Sequence, residues 1–235
     1  MIEVQGLTVR YGGVTSLDEL NVTFEAGICG LIGPNGAGKT TFFNVLSGFV
    51  RPASGSVRAF GDDVLKMAHF RRARWGMRRT FQTEQAIADL SVYDNDAMIT
   101  SPLRGVARRA DVLAAIDFVG LGALSAASVG SLSAGQRRLV EVARAMAGQP
   151  RLILLDEPAA GLPDAETAHL TSLLQAIPER TGALTILVDH DMSLVSAVCG
   201  TTAVLDFGKL IASGPTSSVL RDSRVMRAYL GTAEI

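Results

Sequence analysis

The nine residues Gly33-Pro34-Asn35-Gly36-Ala37-Gly38-Lys39-Thr40-Thr41 leave this chain few ways to fold. They follow the apolar run 28–32 and precede a stretch carrying Phe42, Phe43, Val45 and Leu46. A buried strand must therefore pass through a glycine-rich turn directly into a helix. The spacing fits G-x-x-x-x-G-K-[ST] at every fixed position. Gly36 and Gly38 let successive backbone N–H groups turn inward around a phosphate, and the helix start adds the positive end of its dipole. Lys39 reaches the β and γ phosphates, and Thr40 can ligate Mg²⁺. Asn35, Ala37 and Thr41 belong to the same predicted cradle. The ligand class is a nucleoside triphosphate; kinases, GTPases and ATPases all use such a loop, so the reaction stays open.

The second half narrows the architecture. Helical patterns at 136–147, 165–177 and 192–197 alternate with apolar runs at 152–155, 184–188 and 202–206, the order of parallel strands joined by crossover helices. The run 152–155 is apolar throughout, as in a strand covered on both faces. Leu170, Leu173, Leu174 and Ile177 form one stripe at helical spacing, with Glu166, Thr167 and Gln175 left for solvent. The first sixty residues read instead as strands, at 2–10, 20–24, 28–32 and 56–60. Residues 64–123 read as helices with arginine-rich faces, broken by a strand-like 77–81 and by Ser101-Pro102. The predicted fold is α/β: a phosphate-loop core with a parallel sheet flanked by helices, an N-terminal antiparallel β subdomain and an inserted helical subdomain. At 235 residues, with 48% hydrophobic, one domain with its own core is expected. Residues 1–81 and 137–235 would form the core and β subdomain, and 82–136 the helical subdomain.

Strand 152–155 delivers Asp156 and Glu157 at its C-terminal end, where ligands of open α/β sheets sit. Asp156 can hold Mg²⁺ through water, and Glu157 can orient or deprotonate an attacking water. Charge argues against nucleic acid: 22 Lys plus Arg against 23 Asp plus Glu gives −1, with no overall basic field. Arg71, Arg72, Arg74, Arg78 and Arg79 are expected on a solvated face or in subdomain packing. Cys29 and Cys199 read as reduced core residues. No apolar run approaches the roughly 20 residues of a membrane span, and no signal or lipidation motif opens the chain. A membrane role would come through a partner chain.

Leu132-Ser133-Ala134-Gly135-Gln136 resembles the LSGGQ signature of ATP-binding-cassette (ABC) ATPases, in order with the two motifs above. That resemblance covers nearly the whole chain. It implies that Tyr11 stacks on adenine, that Gln82 in Arg79-Thr80-Phe81-Gln82 is the Q-loop glutamine and a metal ligand, and that His190 in Asp189-His190-Asp191 is the switch histidine. It implies catalytic roles for Glu157, His190 and Gln82, nucleotide contacts from Ser133, Gly135 and Gln136, and Mg²⁺ held by Thr40, Gln82 and Asp156. Ser133 and Gly135 also read locally as a helix cap. One signature per chain implies a head-to-tail dimer closing on two ATP molecules.

Asp156-Glu157-Pro158-Ala159-Ala160-Gly161-Leu162, the Arg79–Gln82 stretch and the tail Ala228-Tyr229-Leu230-Gly231 are similar to ATPase subunits of branched-chain amino acid importers. The resemblance implies a peripheral chain on the cytoplasmic face of the membrane. Its implied partners are permease subunits, a second ATPase and, indirectly, an external binding protein. Lipopolysaccharide-type export, amide or urea uptake, and a soluble ATPase acting on DNA or ribosomes are the alternatives. Three features depart from the family pattern: Ala134 in the signature, Pro163 where the D-loop acid or asparagine is expected, and a short stretch between Gln82 and Leu132.

Overall fold

The computed structural model describes residues 1–100 and 109–230. In chain order its elements are β1 (Ile2–Tyr11), β2 (Val14–Phe24), β3 (Ile28–Ile32), α1 (Lys39–Ser47), β4 (Ser54–Ala59), β5 (Asp62–Asp63), α2 (His69–Trp75) and β6 (Met77–Arg79). Then come α3 (Val92–Thr100), α4 (Arg109–Phe118), α5 (Ala134–Met146), β7 (Leu152–Asp156), α6 (Asp164–Thr181), β8 (Leu184–Val188) and α7 (Met192–Val198). β9 (Thr201–Asp206), β10 (Lys209–Pro215), α8 (Thr216–Val219) and α9 (Ser223–Leu230) complete the chain. The expected break at Ser101-Pro102 and the tail residue Gly231 lie outside the described residues. The chain divides into two units, Met1–Ala73 with Leu184–Ile235, and Arg74–Ala183.

The first unit holds an antiparallel sheet in the order β2-β1-β4-β5. Ile2, Val4, Leu7 and Val9 of β1 are buried, and register shifts between Val4 and Leu7 and between Leu7 and Val9 keep them so. The same unit contains strands in the order β10-β9-β3-β8, with β9 and β8 parallel to β3. Every residue of β3 and β8 is buried, as expected for strands covered on both faces.

β10 is a strand that sequence alternation did not suggest. It runs antiparallel to β9 through the two-residue turn Phe207-Gly208, whose φ angles are both positive at 42° and 78°. That is the type I′ geometry matching strand twist. α1 buries Phe42, Phe43, Val45 and Leu46, with the Phe42 ring 5.9 Å from that of Phe24. It ends at Gly48, where φ is 81°. There the buried Arg72 guanidinium donates to the carbonyls of Val45, Leu46 and Met67 and satisfies the helix end.

In the second unit β6 lies parallel to β7, pairing Met77 with Leu152 and Arg79 with Leu154. The strand expected over 77–81 ends at Arg79, although Thr80 N still donates to Leu154 O at 2.9 Å. Arg78 is buried and donates to the carbonyls of Met77, Ala147 and Gly148, and burial pushes its pKa down to about 10. Arg72 and Arg78 are therefore packing residues, while Arg71 and Arg74 are exposed. α6 runs to Thr181 with Pro178 in its last turn and Gly182 closing it at φ 68°. Leu170, Leu174 and Ile177 are buried, but Leu173 is only half-buried, and Glu166 and Thr167 are half-buried instead of solvated. On α3 the carboxylate of Asp96 is fully buried, with no hydrogen-bond partner among the described residues. Both cysteines are free and buried, and burial pushes the Cys199 thiol up to about 12. Among the described residues no helix is long and apolar enough to cross a membrane.

Candidate functional site

In the first unit the phosphate loop joins β3 to α1 as its sequence requires. Gly33 has φ 151° and Gly38 has φ 104°. A Cβ on Gly33 would strike Leu205 O, and one on Gly38 would lie 2.6 Å from Ser16 O, so the loop's path excludes side chains at both positions. Gly208 clamps the arrangement: its amide donates to Ala37 O at 3.1 Å, and its carbonyl accepts from Asp18 N at 3.0 Å. Ser16 Oγ meets Thr41 Oγ1 at 2.7 Å. Lys39 Nζ donates to Gly33 O at 2.5 Å and Pro34 O at 2.9 Å, folding back over its own loop.

The start of α1 has no side-chain cap and no acid in its first turn. The positive end of the helix is left for an anion, and Asn35, Gly36 and Thr40 are exposed around it. An ammonium, a helix N-terminus without an acid and an exposed hydroxyl are the donor set of a polyphosphate, so these residues fit a nucleotide. Tyr11 stands at the end of β1 with its side chain half-exposed. His190 follows β8, mostly exposed, its Nδ1 3.8 Å from Oδ1 of buried Asp189. Asp191 caps α7 through the amides of Ser193 and Leu194.

The second unit places both carboxylates at the end of β7. Asp156 is buried, and Arg79 Nη2 donates to its Oδ2 at 3.0 Å. The amide of Asp156 donates to Thr80 Oγ1 at 3.1 Å. Burial lowers the pKa of Arg79, and the bond to Asp156 opposes that shift. Glu157 adopts φ 48°, a left-handed conformation that a non-glycine residue takes at a cost of roughly 1–3 kcal/mol. Its Oε2 accepts from Gln82 Nε2 at 2.9 Å. Carboxylate and amide oxygens such as those of Asp156 and Gln82 are hard ligands of the kind that Mg²⁺ takes.

α5 anchors the segment that carries Gln82. Arg138 Nη1 donates to Phe81 O at 3.2 Å and to Glu141 Oε2 at 2.8 Å. Glu141 Oε1 accepts from Gln85 N at 2.6 Å, and Arg137 pairs with Glu84 at 2.9 Å. Burial raises the pKa of Glu141, opposed by the Gln85 amide and by Arg138.

Ser133 caps α5 in a reciprocal box. Gln136 N donates to Ser133 Oγ at 3.2 Å, and Ser133 N donates to Gln136 Oε1 at 3.0 Å. Ala134 is the first residue of the helix and keeps its backbone geometry. The Glu166 carboxylate of α6 lies over Gly135, where a Cβ would stand, so a larger residue there would require Glu166 to move aside. Pro163 is the N-cap of α6, with Asp164 and Glu166 in the first turn. The structure thus joins Gln82 to Glu157 and Ser133 to Gln136, and it ties Lys39 to its own loop. Sequence reasoning missed Ser16, Thr80, Glu166 and Gly208, and it placed Arg79 in a solvated or packing cluster. An arginine at the last position of a strand leading to an acidic strand end was the available signal.

Residues 17–160 match the family described as ABC transporter. The chain is 34% identical to the high-affinity branched-chain amino acid transport ATP-binding protein BraF of Pseudomonas aeruginosa, over 99% of this chain and 98% of the relative. Its fold is similar to the ADP conformation of MJ1267, an ATP-binding cassette of an ABC transporter, with TM-score 0.88 and 24% identity over 98% of each chain. It is also similar to the dimeric post-hydrolysis state of the cassette MJ0796 bound to ADP and Pi, with TM-score 0.81 and 21% identity over 92% of this chain and 99% of that one.

Proposed function

The chain belongs to the ABC transporter family, and from that premise we propose that it is the ATP-hydrolysing subunit of an importer for branched-chain or related amino acids. The observation that carries the reading is the full-length match to BraF, which covers both chains almost completely. The chemical character of the site residues supports the reading. Lys39 and the loop Asn35-Gly36-Ala37-Gly38 with Thr40 and Thr41 hold the ATP phosphates, and Tyr11 stacks on the adenine. Thr40, Gln82 and Asp156 hold Mg²⁺, which when bound neutralises charge on the transferred phosphoryl group. Glu157 takes the proton of the attacking water. His190 hydrogen-bonds the γ phosphate. Residues 82–136 form the helical subdomain of a single cassette.

Ser133, Gly135 and Gln136 present the start of α5 to ATP held by a second ATPase, a homologous or identical chain. ATP-dependent closure of that pair drives permease subunits, fed by an external binding protein, from the cytoplasmic face of the membrane. A few kcal/mol of ATP-dependent contact suffices to reverse such a two-state equilibrium. The test is to tag the chain, solubilise native membranes gently and identify what co-purifies, then assay uptake of leucine, isoleucine and valine. Two multispanning permeases with a second ATPase support the proposal. Recovery with ribosomes or DNA instead would overturn it.

A further inference from the structure

Arg72 is 5% exposed, yet among the described residues it forms no ion pair with a carboxylate. Its Nε donates to Met67 O at 2.9 Å, and its Nη1 donates to Val45 O and Leu46 O. Packing onto the end of α1 thus occupies two of its three nitrogens, and Nη2 has no hydrogen-bond partner among the described residues. Gly48 makes room for the guanidinium there: a Cβ on it would lie 3.1 Å from Cζ of Arg72. The side chain lines a groove of about 690 Å³ within the first unit, a volume in the range of small-molecule sites. Arg51, Ser54, Ser56, Lys66 and His69 line it as well. β5 pairs with β4 only at Arg58 and Ala59, so the backbone of Ser54 to Ser56 has no partner strand on that side. The one acid of the lining is Asp63, whose carboxylate accepts from Leu65 N at 3.1 Å and pairs with Lys66 at 3.2 Å. An exposed pair of this kind is worth about 0–1 kcal/mol, so Lys66 turns to another anion at little cost. Arg51, Lys66 and Arg72 against Asp63 leave the lining at +2, on a chain whose net charge is −1.

We propose that this groove is a second anion site, separate from the phosphate loop, that takes a small soluble phosphate monoester with Arg72 Nη2 as the anchoring donor. The phosphate loop stands at the start of α1 and the groove at its end, about 13 Å apart along nine residues. A buried charge is costly unless it is paired, and the carbonyls at the end of α1 leave Arg72 without a full counter-charge. A phosphate monoester carries close to two negative charges at pH 7 and three acceptor oxygens. That charge balances a lining of +2, whereas a single carboxylate would leave half of it unmet. The oxygens match a guanidinium nitrogen backed by Arg51, Lys66 and the hydroxyls of Ser54 and Ser56. Three carbonyls already hold the guanidinium in place, so binding sacrifices little side-chain freedom at its anchor. The concave shape of the groove suits a small molecule better than the flat face of a bilayer.

The test titrates the full chain with glycerol 3-phosphate at saturating ADP, which keeps the phosphate loop occupied, and follows the imidazole resonance of His69 by NMR. The chain has only 3 histidines, so that resonance can be assigned by substitution. It should move saturably, with half-saturation at about 1 mM or below. The double variant Arg51→Gln with Lys66→Gln alters exposed side chains. It should keep the wild-type melting temperature and need at least about fivefold more ligand. Arg72→Lys keeps the charge but loses the planar fork, and should weaken binding at least about tenfold. A shift that never saturates, or that NaCl of equal ionic strength reproduces, overturns the proposal. So does an unchanged half-saturation in the double variant, which decides the matter should Arg72→Lys not fold. Sedimentation with phosphatidic acid vesicles that the double variant abolishes, while glycerol 3-phosphate leaves His69 unmoved, overturns the soluble ligand and assigns the same chemistry to a lipid headgroup.

Discussion

Gln82 donates its side-chain amide to Oε2 of Glu157 at 2.9 Å, across 75 residues of sequence. The carboxylate assigned as general base is thus already oriented by a neighbour whose own segment is pinned to α5 through Phe81 O and Gln85 N. Its left-handed backbone at φ 48° turns the side chain off the line of β7.

Glu157→Gln keeps an oxygen that can accept from Gln82 and removes the proton acceptor. Phosphate release should fall by at least about 100-fold while nucleotide affinity stays within about twofold of wild type. Steady-state phosphate release beside equilibrium nucleotide binding checks both halves. Turnover near wild type would remove Glu157 as the base.

Lys39→Ala should weaken ATP binding sharply. Its Nζ spans Gly33 O and Pro34 O and is the cation of the loop. A charge-assisted bond is worth about 1.5–3 kcal/mol, so ATP affinity should drop by roughly 10–150-fold. Calorimetric titration with ATP and Mg²⁺ measures the loss.

Gly38→Ala tests the shape of the loop. The new methyl would lie 2.6 Å from Ser16 O at φ 104°, so the fold should lose roughly 1–3 kcal/mol. Gly36→Ala is the control: its Cβ meets nothing within 4 Å at φ 82°, and only the backbone cost of about 1 kcal/mol remains. Urea denaturation of the two variants should therefore separate crowding from torsion.

The buried Asp96 makes stability depend on pH. Burial holds its pKa well above the usual carboxylate range, opposed by nearby Arg144. The folded chain therefore keeps a proton that the unfolded chain loses as pH rises through about 4, and each unit above that, up to the folded pKa, favours unfolding. Asp96→Asn removes the titration. Its melting temperature relative to wild type should be higher at pH 8 than at pH 4. A constant difference across that range would show that Asp96 does not titrate on folding.

Sequence carried the parallel strands and the phosphate loop because both leave local marks. β3, β7 and β8 are apolar at nearly every position, and the glycines of the loop stand where the backbone admits nothing larger. β10 left no such mark: Ala212 is its one buried residue, so the helix and strand periods do not separate there. The contacts among Arg79, Thr80, Gln82 and the β7 carboxylates were invisible for another reason. They depend on the register of β6 against β7, two strands more than 70 residues apart, and one-residue slippage would turn each side chain to the opposite face. Glu166 was misplaced because helical spacing sees only α6, whereas its carboxylate fills the space above Gly135 of α5.

The Phe207-Gly208 turn has a bearing on how this chain can drift over time. Gly208 hydrogen-bonds Ala37 on one side and Asp18 on the other, at a hairpin whose length is fixed by two left-handed residues. Surface turns ordinarily absorb insertions, but one added residue here would lift Gly208 away from both partners and rotate β10 onto its other face. Phe207, at 85% exposure, has no packing to lose, but its φ of 42° restricts replacements to residues that tolerate a left-handed backbone, glycine, asparagine and aspartate above all. The constraint at 207 is thus one of backbone and not of contact, and the turn is not free to vary in number.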